Sequence, residues 1–175
     1  MTIKTIFLDR DGVINKDKNY VYKVEDFEFI DGVFTACKYL LAQNYKIIIV
    51  TNQSGIGRGY YSEKDFDNIN AWMLKQFRKN DVNILDVFHC PHIPEANCNC
   101  RKPKPGMFHE AKNKHSIDLE KSWMIGDSER DITAANLAGI KNTILVNSRN
   151  KIEKKSSNAV FFLDSIQESK YCILE

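Results

Sequence analysis

Five short apolar runs of strand character, Thr5 to Leu8, Lys46 to Val50, Val82 to Phe88, Trp123 to Ile125 and Thr143 to Val146, alternate along the chain with amphipathic stretches of helical period. Strands alternating with helices imply a parallel sheet covered on both faces, and ligands of such a sheet collect beyond the carboxyl ends of its strands. The helices carry their own signals. Asp31 stands where it can cap a helix over Val33 to Gln43, and Ser62 followed by Asp65 makes a capping-box start for a helix over Glu63 to Lys79. Another helix follows Pro105 and ends near Lys114. One more runs from Arg130 to Ala138 before Gly139, a natural residue for the position past a helix end.

A chain of 175 residues buries roughly 70% of the surface its unfolded form exposes, enough for one core, so residues 1–175 are expected to form a single domain. With 43% hydrophobic and 27% charged residues it is neither a disordered tail nor a low-complexity scaffold. A net charge of +2 is too even to suggest a nucleic-acid or membrane-surface partner. No apolar run approaches the length of about 18 residues that spans a bilayer. Ile6 to Leu8 stops at Asp9, too short for a signal-peptide core, so the cytoplasm is the expected compartment. Ser148 to Asn158, polar and lysine-rich, reads as a solvated loop.

Four segments placed after the strands carry the polar groups: Asp9 to Gly12, Thr51 to Gly59, Cys98 to Lys104 and Gly126 to Asp131. In Asp9-Arg10-Asp11-Gly12 two carboxylates lie two residues apart at the edge of a buried segment, where charge is expensive to keep. At roughly 3.5 Å and an effective dielectric near 20, two such charges repel by about 5 kcal/mol. A divalent cation resolves the conflict, and Mg²⁺ suits it because that ion takes one or two carboxylates, keeps waters and binds phosphate oxygens. The plain alternative is a turn in which Asp11-Gly12 reverses the chain. Asp127 can complete the metal site, or Asp127 or Ser128 can simply cap the following helix. The hydroxyl, amide and glycine-exposed N–H groups of Thr51 to Gly57 can hold a phosphate.

Cys90, His92, Cys98 and Cys100 supply three thiolates and an imidazole within eleven residues, a set suited to tetrahedral Zn²⁺ in a closed, structural site. Free buried thiols are the alternative. His89, beside the cluster, sits in the strand run and reads as packing. Cys37 on an apolar helix face and Cys172 in the tail read as inert. Zinc here would pin the loop that delivers Arg101 and Lys102.

Taken together, Asp9-x-Asp11, Thr51, Lys102 and the acid cluster after Gly126 resemble, in order, the motifs of the haloacid dehalogenase superfamily of phosphotransferases, over Ile3 to Val146. The resemblance implies a Rossmann-like fold, here without a cap domain, so that loops around Asn19, Ile56 and the zinc cluster shield the site. It implies Asp9 as nucleophile, Asp11 as acid and base, and Mg²⁺ held by Asp9, the backbone carbonyl of Asp11 and Asp127. Thr51 and Lys102 would grip the phosphoryl oxygens. The zinc loop is similar to that of the histidinol-phosphate phosphatase subgroup. Substrate contacts carried over from relatives fall on Asp9, Arg10 and Asp11; on Asp17, Lys18, Asn19 and Tyr20; on Thr51, Asn52, Gln53 and Ser54; on Arg101 and Lys102; and on Ser128.

Neutral Ser54 and positive Arg101, with Arg58 as a further helper, favour a sugar bisphosphate. The short spacer between His92 and Cys98 keeps histidinol phosphate as the alternative substrate, and a non-catalytic, zinc-dependent interaction module is the alternative of another class. The partner expected is a small phosphorylated sugar, with neither nucleic acid nor membrane, bound by a monomer.

Overall fold

A computed structural model describes residues 2–146 and 156–174. Its elements run β1 (Thr5–Leu8), α1 (Val33–Ala42), β2 (Lys46–Asn52), the single turn α2 (Ser54–Gly57), α3 (Glu63–Lys79), β3 (Ile84–Cys90), α4 (Gly106–His115), β4 (Trp123–Gly126), α5 (Glu129–Ala138), β5 (Asn142–Val146) and β6 (Phe161–Leu163). The strands form one parallel sheet in the order β3-β2-β1-β4-β5-β6. The chain winds outward from β1 to β3 on one side and then returns to place β4 on the other side. β1 and β4 therefore flank the switch point where parallel sheets bind ligands.

Both faces are covered, which is why the strands are apolar throughout. Ile6, Leu8, Ile47 and Ile49 face one core with Val33, Cys37 and Leu40 of α1 and Ile69, Met73 and Phe77 of α3. Phe7, Ile48 and Val50 face the other with Phe108 and Ala111 of α4 and Ala134 and Ala135 of α5. No described helix is long and apolar enough to cross a membrane.

Ser62 begins α3 as its spacing predicts: its hydroxyl accepts from the Asp65 N–H at 3.2 Å, and the Asp65 carboxylate accepts from the Ser62 N–H at 2.8 Å. Gly139, in the left-handed region, ends α5. The start of α1 differs from expectation. Asp31 does not cap it; Gly32 holds that position at φ +78° without a side-chain cap. The left-handed backbone, which favours glycine, marks this helix start, and the Gln167 side chain lies against it.

β2 continues two residues past Val50, since Thr51 and Asn52 pair with His89 and Cys90. β6 and a 3-10 segment over Ile166–Tyr171 have no counterpart in the sequence reading. They dock Ile173 into the first core, where the Tyr39 hydroxyl donates to its carbonyl at 2.9 Å, and Cys172 packs against the same cluster. The loop expected over Ser148 to Asn158 lies, from 148 to 155, outside the described residues.

Replacing Ser62 with Ala is expected to lower stability by about 1 kcal/mol, read as a shift of the urea midpoint at unchanged slope. Asp31→Ala should stay within about 0.5 kcal/mol of the parent.

Candidate active site

Beyond the carboxyl ends of β1, β2 and β4 lies a cavity of about 420 Å³. β1 delivers Asp9 to it by extending its pairing one step, with the Asp9 N–H donating to the Ile125 carbonyl at 3.1 Å. Asp127 arrives from the end of β4 across Gly12, where a Cβ would come within 2.0 Å of its carboxylate; that close approach, at φ +85°, requires glycine.

Asp9, Asp127 and Asp131 bring carboxylate oxygens within 4.8 Å of one another. Lys102, 1% exposed, answers them: its ammonium lies 3.0 Å from Asp9 Oδ1 and 2.7 Å from Asp131 Oδ1, and donates to the Val50 carbonyl at 2.8 Å. Burial weighs against its charge, but Asp131 and Asp9 outweigh burial and hold Lys102 protonated. One cation does not balance three acids. Burial, followed by the charge of Asp131, raises the Asp9 carboxyl well above its ordinary range, and the same causes push Asp127 up to about 7. Hard oxygen donors with excess negative charge are the donor set that Mg²⁺ takes, so these residues fit that ion.

Asp131 is the member that the sequence reading placed only within the acid cluster after Gly126. It is 1% exposed, and its Oδ2 accepts from the Asp127 N–H, the Ser128 N–H and the Ser128 hydroxyl at 3.1–3.2 Å. With Oδ1 on Lys102 as well, both its oxygens are engaged, which makes it the counter-ion of the lysine. Asp9 differs: the Arg10 N–H (2.7 Å) and Lys102 both fall on its Oδ1, and Oδ2 takes neither contact.

Lys102 is aimed by β2. The Asn52 amide donates to the Lys102 carbonyl and accepts from its N–H, each at 3.0 Å, bridging strand and loop in both directions. Asp11 is held by the Arg10 guanidinium (3.0 and 3.2 Å), the Asn15 amide (2.9 Å) and the Gln53 amide (3.2 Å).

Most of the residues expected at the site meet around this cavity, with Asp17, Asn19, Tyr20, Gln53, Ser54, Arg101 and Ser128 joining those above. Three side chains do not line it. Arg10 is buried and spent on Asp11 and the Val21 carbonyl, Lys18 pairs with Glu28 at 3.2 Å, and Thr51 lies fully buried with its hydroxyl accepting from Gln53. Tyr61, Pro94 and Arg130 line the cavity without having been singled out. Arg130 was legible only as a helix-start residue, and Tyr61 carried no motif.

The zinc loop gathers as its composition predicts. Donor atoms of Cys90, His92, Cys98 and Cys100 lie 3.0–3.6 Å apart in their closest pairs. Tetrahedral zinc with sulfur at 2.3 Å sets ligands roughly 3.8 Å apart, so the set fits Zn²⁺ with little rearrangement. Burial opposes ionisation of Cys98, but the Arg101 N–H and the neighbouring ligands bring its thiol down to about 6. His89 stands outside the cluster, stacked on Phe66 at 4.1 Å and bonded to Glu63.

Residues 99–169 match a HAD-hydrolase-like family model. The chain is 53% identical to the D-glycero-alpha-D-manno-heptose-1,7-bisphosphate 7-phosphatase of Campylobacter jejuni, covering 86% of this chain and 87% of that one. It is 42% identical to the D-glycero-beta-D-manno-heptose-1,7-bisphosphate 7-phosphatase of Vibrio cholerae, covering 99% and 98%. Among solved structures, the D,D-heptose 1,7-bisphosphate phosphatase of B. bronchiseptica, complexed with magnesium and phosphate, superposes with a TM-score of 0.85 at 29% identity, covering 94% of each chain.

Two metal experiments follow from this geometry. Cys98→Ala is expected to lose zinc, by elemental analysis, together with thermal stability; a zinc-free variant as stable as the parent contradicts a structural site. Added Mg²⁺ should raise the Tm of the parent by mass action and leave that of Asp127→Asn unmoved.

Proposed function

This chain belongs to the D-glycero-D-manno-heptose 1,7-bisphosphate 7-phosphatases among the HAD-like hydrolases, and from that membership we propose that it removes the 7-phosphate through an aspartyl-phosphate on Asp9. The observation that carries this mechanism is the Asp9 carboxylate, pinned through Oδ1 by Lys102 and the Arg10 N–H while Oδ2 takes neither.

In the first step Oδ2 attacks phosphorus, the bond to the sugar oxygen breaks, and Asp11 gives that oxygen its proton. In the second, Asp11 takes a proton from water as the water attacks the aspartyl-phosphate, which releases phosphate and restores Asp9. Lys102 stays protonated between Asp9 and Asp131 and sets a fixed positive charge beside the phosphoryl group. Thr51 is expected to act from behind these groups, its buried hydroxyl accepting from the Gln53 amide and keeping its own proton to donate. Bound Mg²⁺, held by Asp9, the carbonyl of Asp11 and Asp127, supplies charge neutralisation at the phosphoryl oxygens. Zn²⁺ on Cys90, His92, Cys98 and Cys100 braces the loop that presents Arg101 and Lys102.

The cavity is graded in charge. Lys102 is deeply buried and Asp9 only 13% exposed, whereas Arg58 and Arg130 are exposed and Arg101 is half-buried. A substrate with phosphates at both ends matches that gradient, one phosphate at the buried acids and the other among the guanidinium groups. Relatives named for either anomer match this chain, and those reported above carry the heptose name throughout, so histidinol phosphate gains nothing from them. We further infer a monomeric, cytoplasmic enzyme that serves the supply of nucleotide-activated heptose for lipopolysaccharide or another surface polysaccharide.

The test is Mg²⁺-dependent phosphate release from both anomers of heptose 1,7-bisphosphate, with histidinol phosphate alongside. A heptose anomer is expected to lead in kcat/KM by at least about tenfold. A lead for histidinol phosphate overturns the substrate reading. Asp9→Asn should lose activity by on the order of 10³ or more while keeping the parent's Tm, and turnover near the parent's removes Asp9 as nucleophile.

A further inference from the structure

Behind Asp11 lies a chain of polar contacts that neither the motifs nor the proposed chemistry uses. The Tyr61 hydroxyl lies 2.5 Å from Gln53 Oε1. Gln53, 2% exposed, turns its amide nitrogen the other way, where Nε2 donates to Thr51 Oγ1 at 2.8 Å and to Asp11 Oδ2 at 3.2 Å. Its backbone N–H is fixed on the Cys90 carbonyl at 2.7 Å, so the side chain starts from a set point. Tyr61 is itself held, stacked on Tyr22 at 5.0 Å with the rings within 8° of parallel, and packed over Gly55.

A primary amide in such a place has two orientations that fill the same space and differ only in which end accepts. With Nε2 toward the site, Asp11 meets a donor, and Thr51 Oγ1 accepts through one lone pair, so its own O–H points elsewhere. With the amide turned over, Oε1 would face the Asp11 carboxylate, acceptor against acceptor, and would draw the Thr51 hydroxyl proton to itself. Asp11 and Tyr61 together favour the first. Burial pushes the Tyr61 phenol up to about 12, so at neutral pH it carries a proton to donate; in the first orientation it gives that proton to Oε1, whereas in the second it would only accept from Nε2 while Oε1 faced the Asp11 carboxylate.

We propose that Tyr61 is a positioning residue: by donating to Gln53 Oε1 it fixes the polarity of the Gln53 amide, and through it the Asp11 carboxyl and the Thr51 donor. The inference rests on Asp9 and Asp11 acting as nucleophile and as acid and base. It assigns Gln53 a role in orienting Asp11 and Thr51 from beneath.

The experiment is a double-mutant cycle on the full-length, metal-loaded enzyme assayed with heptose 1,7-bisphosphate. Tyr61→Phe keeps the ring stack and removes only the donor; it is expected to lower kcat by about tenfold or more and to change KM by less than about twofold. On a Gln53→Leu background, where no amide remains to orient, Tyr61→Phe should cause no further loss. Tyr22→Leu, which loosens the stack without touching the hydroxyl, should lower Tm yet keep kcat within about twofold of the parent. The proposal falls if Tyr61→Phe turns over at the parent's rate, if its loss appears in KM, or if the two losses multiply in the double variant. Parent and Asp9→Asn run alongside: a parent that releases no phosphate, or one indifferent to Asp9, sinks the phosphatase mechanism, whereas an active, Asp9-dependent parent with a fully active Tyr61→Phe sinks the relay alone.

Discussion

The buried ammonium of Lys102 is the contact on which the site depends. A lysine at 1% exposure is tolerable only where its charge is matched and its N–H groups are taken, and here Asp9, Asp131 and the Val50 carbonyl do both. Removing one partner from such a pair typically costs 3–5 kcal/mol, because the other charge is left uncompensated. The arrangement therefore fixes more than a charge. It ties the end of β1, the end of β2, the start of α5 and the loop after the zinc cluster to a single point.

Asp131 shows how closely folding and chemistry share atoms. Its Oδ2 closes the capping box that starts α5 with Ser128, and its Oδ1 holds Lys102. The orientation that satisfies the helix start is the one that presents the other oxygen to the lysine. Asn52 does the same for the loop, since its amide is spent on both backbone groups of Lys102 while β2 supplies the rigid base. With Asp131 saturated, the charge excess falls on Asp9 and Asp127, the acids whose carboxyls are driven upward.

Much of this was legible because the signals are local. Strand runs, the Ser62 capping box, the spacing of Cys90, His92, Cys98 and Cys100, and acids at strand ends each carry their own chemistry within a few residues. What was not legible depends on partners distant in sequence. Gly32, and not Asp31, starts α1, in a left-handed turn against the Gln167 side chain. β6 is three half-buried residues that become a strand only beside β5. Arg10 reads as a substrate contact until Val21 and Asp11 are seen to consume its guanidinium. A tyrosine nine residues past β2 has no motif; only the fold brings Tyr61 onto Gln53.

Side chains from two loops wall one side of the cavity. Asn19 and Tyr20 sit consecutively in the left-handed region at φ +59° and +55°, a conformation that costs a bulky residue on the order of 1 kcal/mol or more. It sets the Tyr20 ring edge-on to Tyr60 at 4.9 Å, while Tyr22 from the same loop stacks on Tyr61. Two aromatic contacts thus join the loop after β1 to the segment after α2, and the wall they form runs from the Tyr20 side of the cavity down to the amide beneath Asp11. Rings brace such a wall at little entropic expense, having only two side-chain torsions to fix. The strained backbone and the paired rings are in that sense one wall, which lines the cavity at Tyr20 and packs against Tyr61 at its other end.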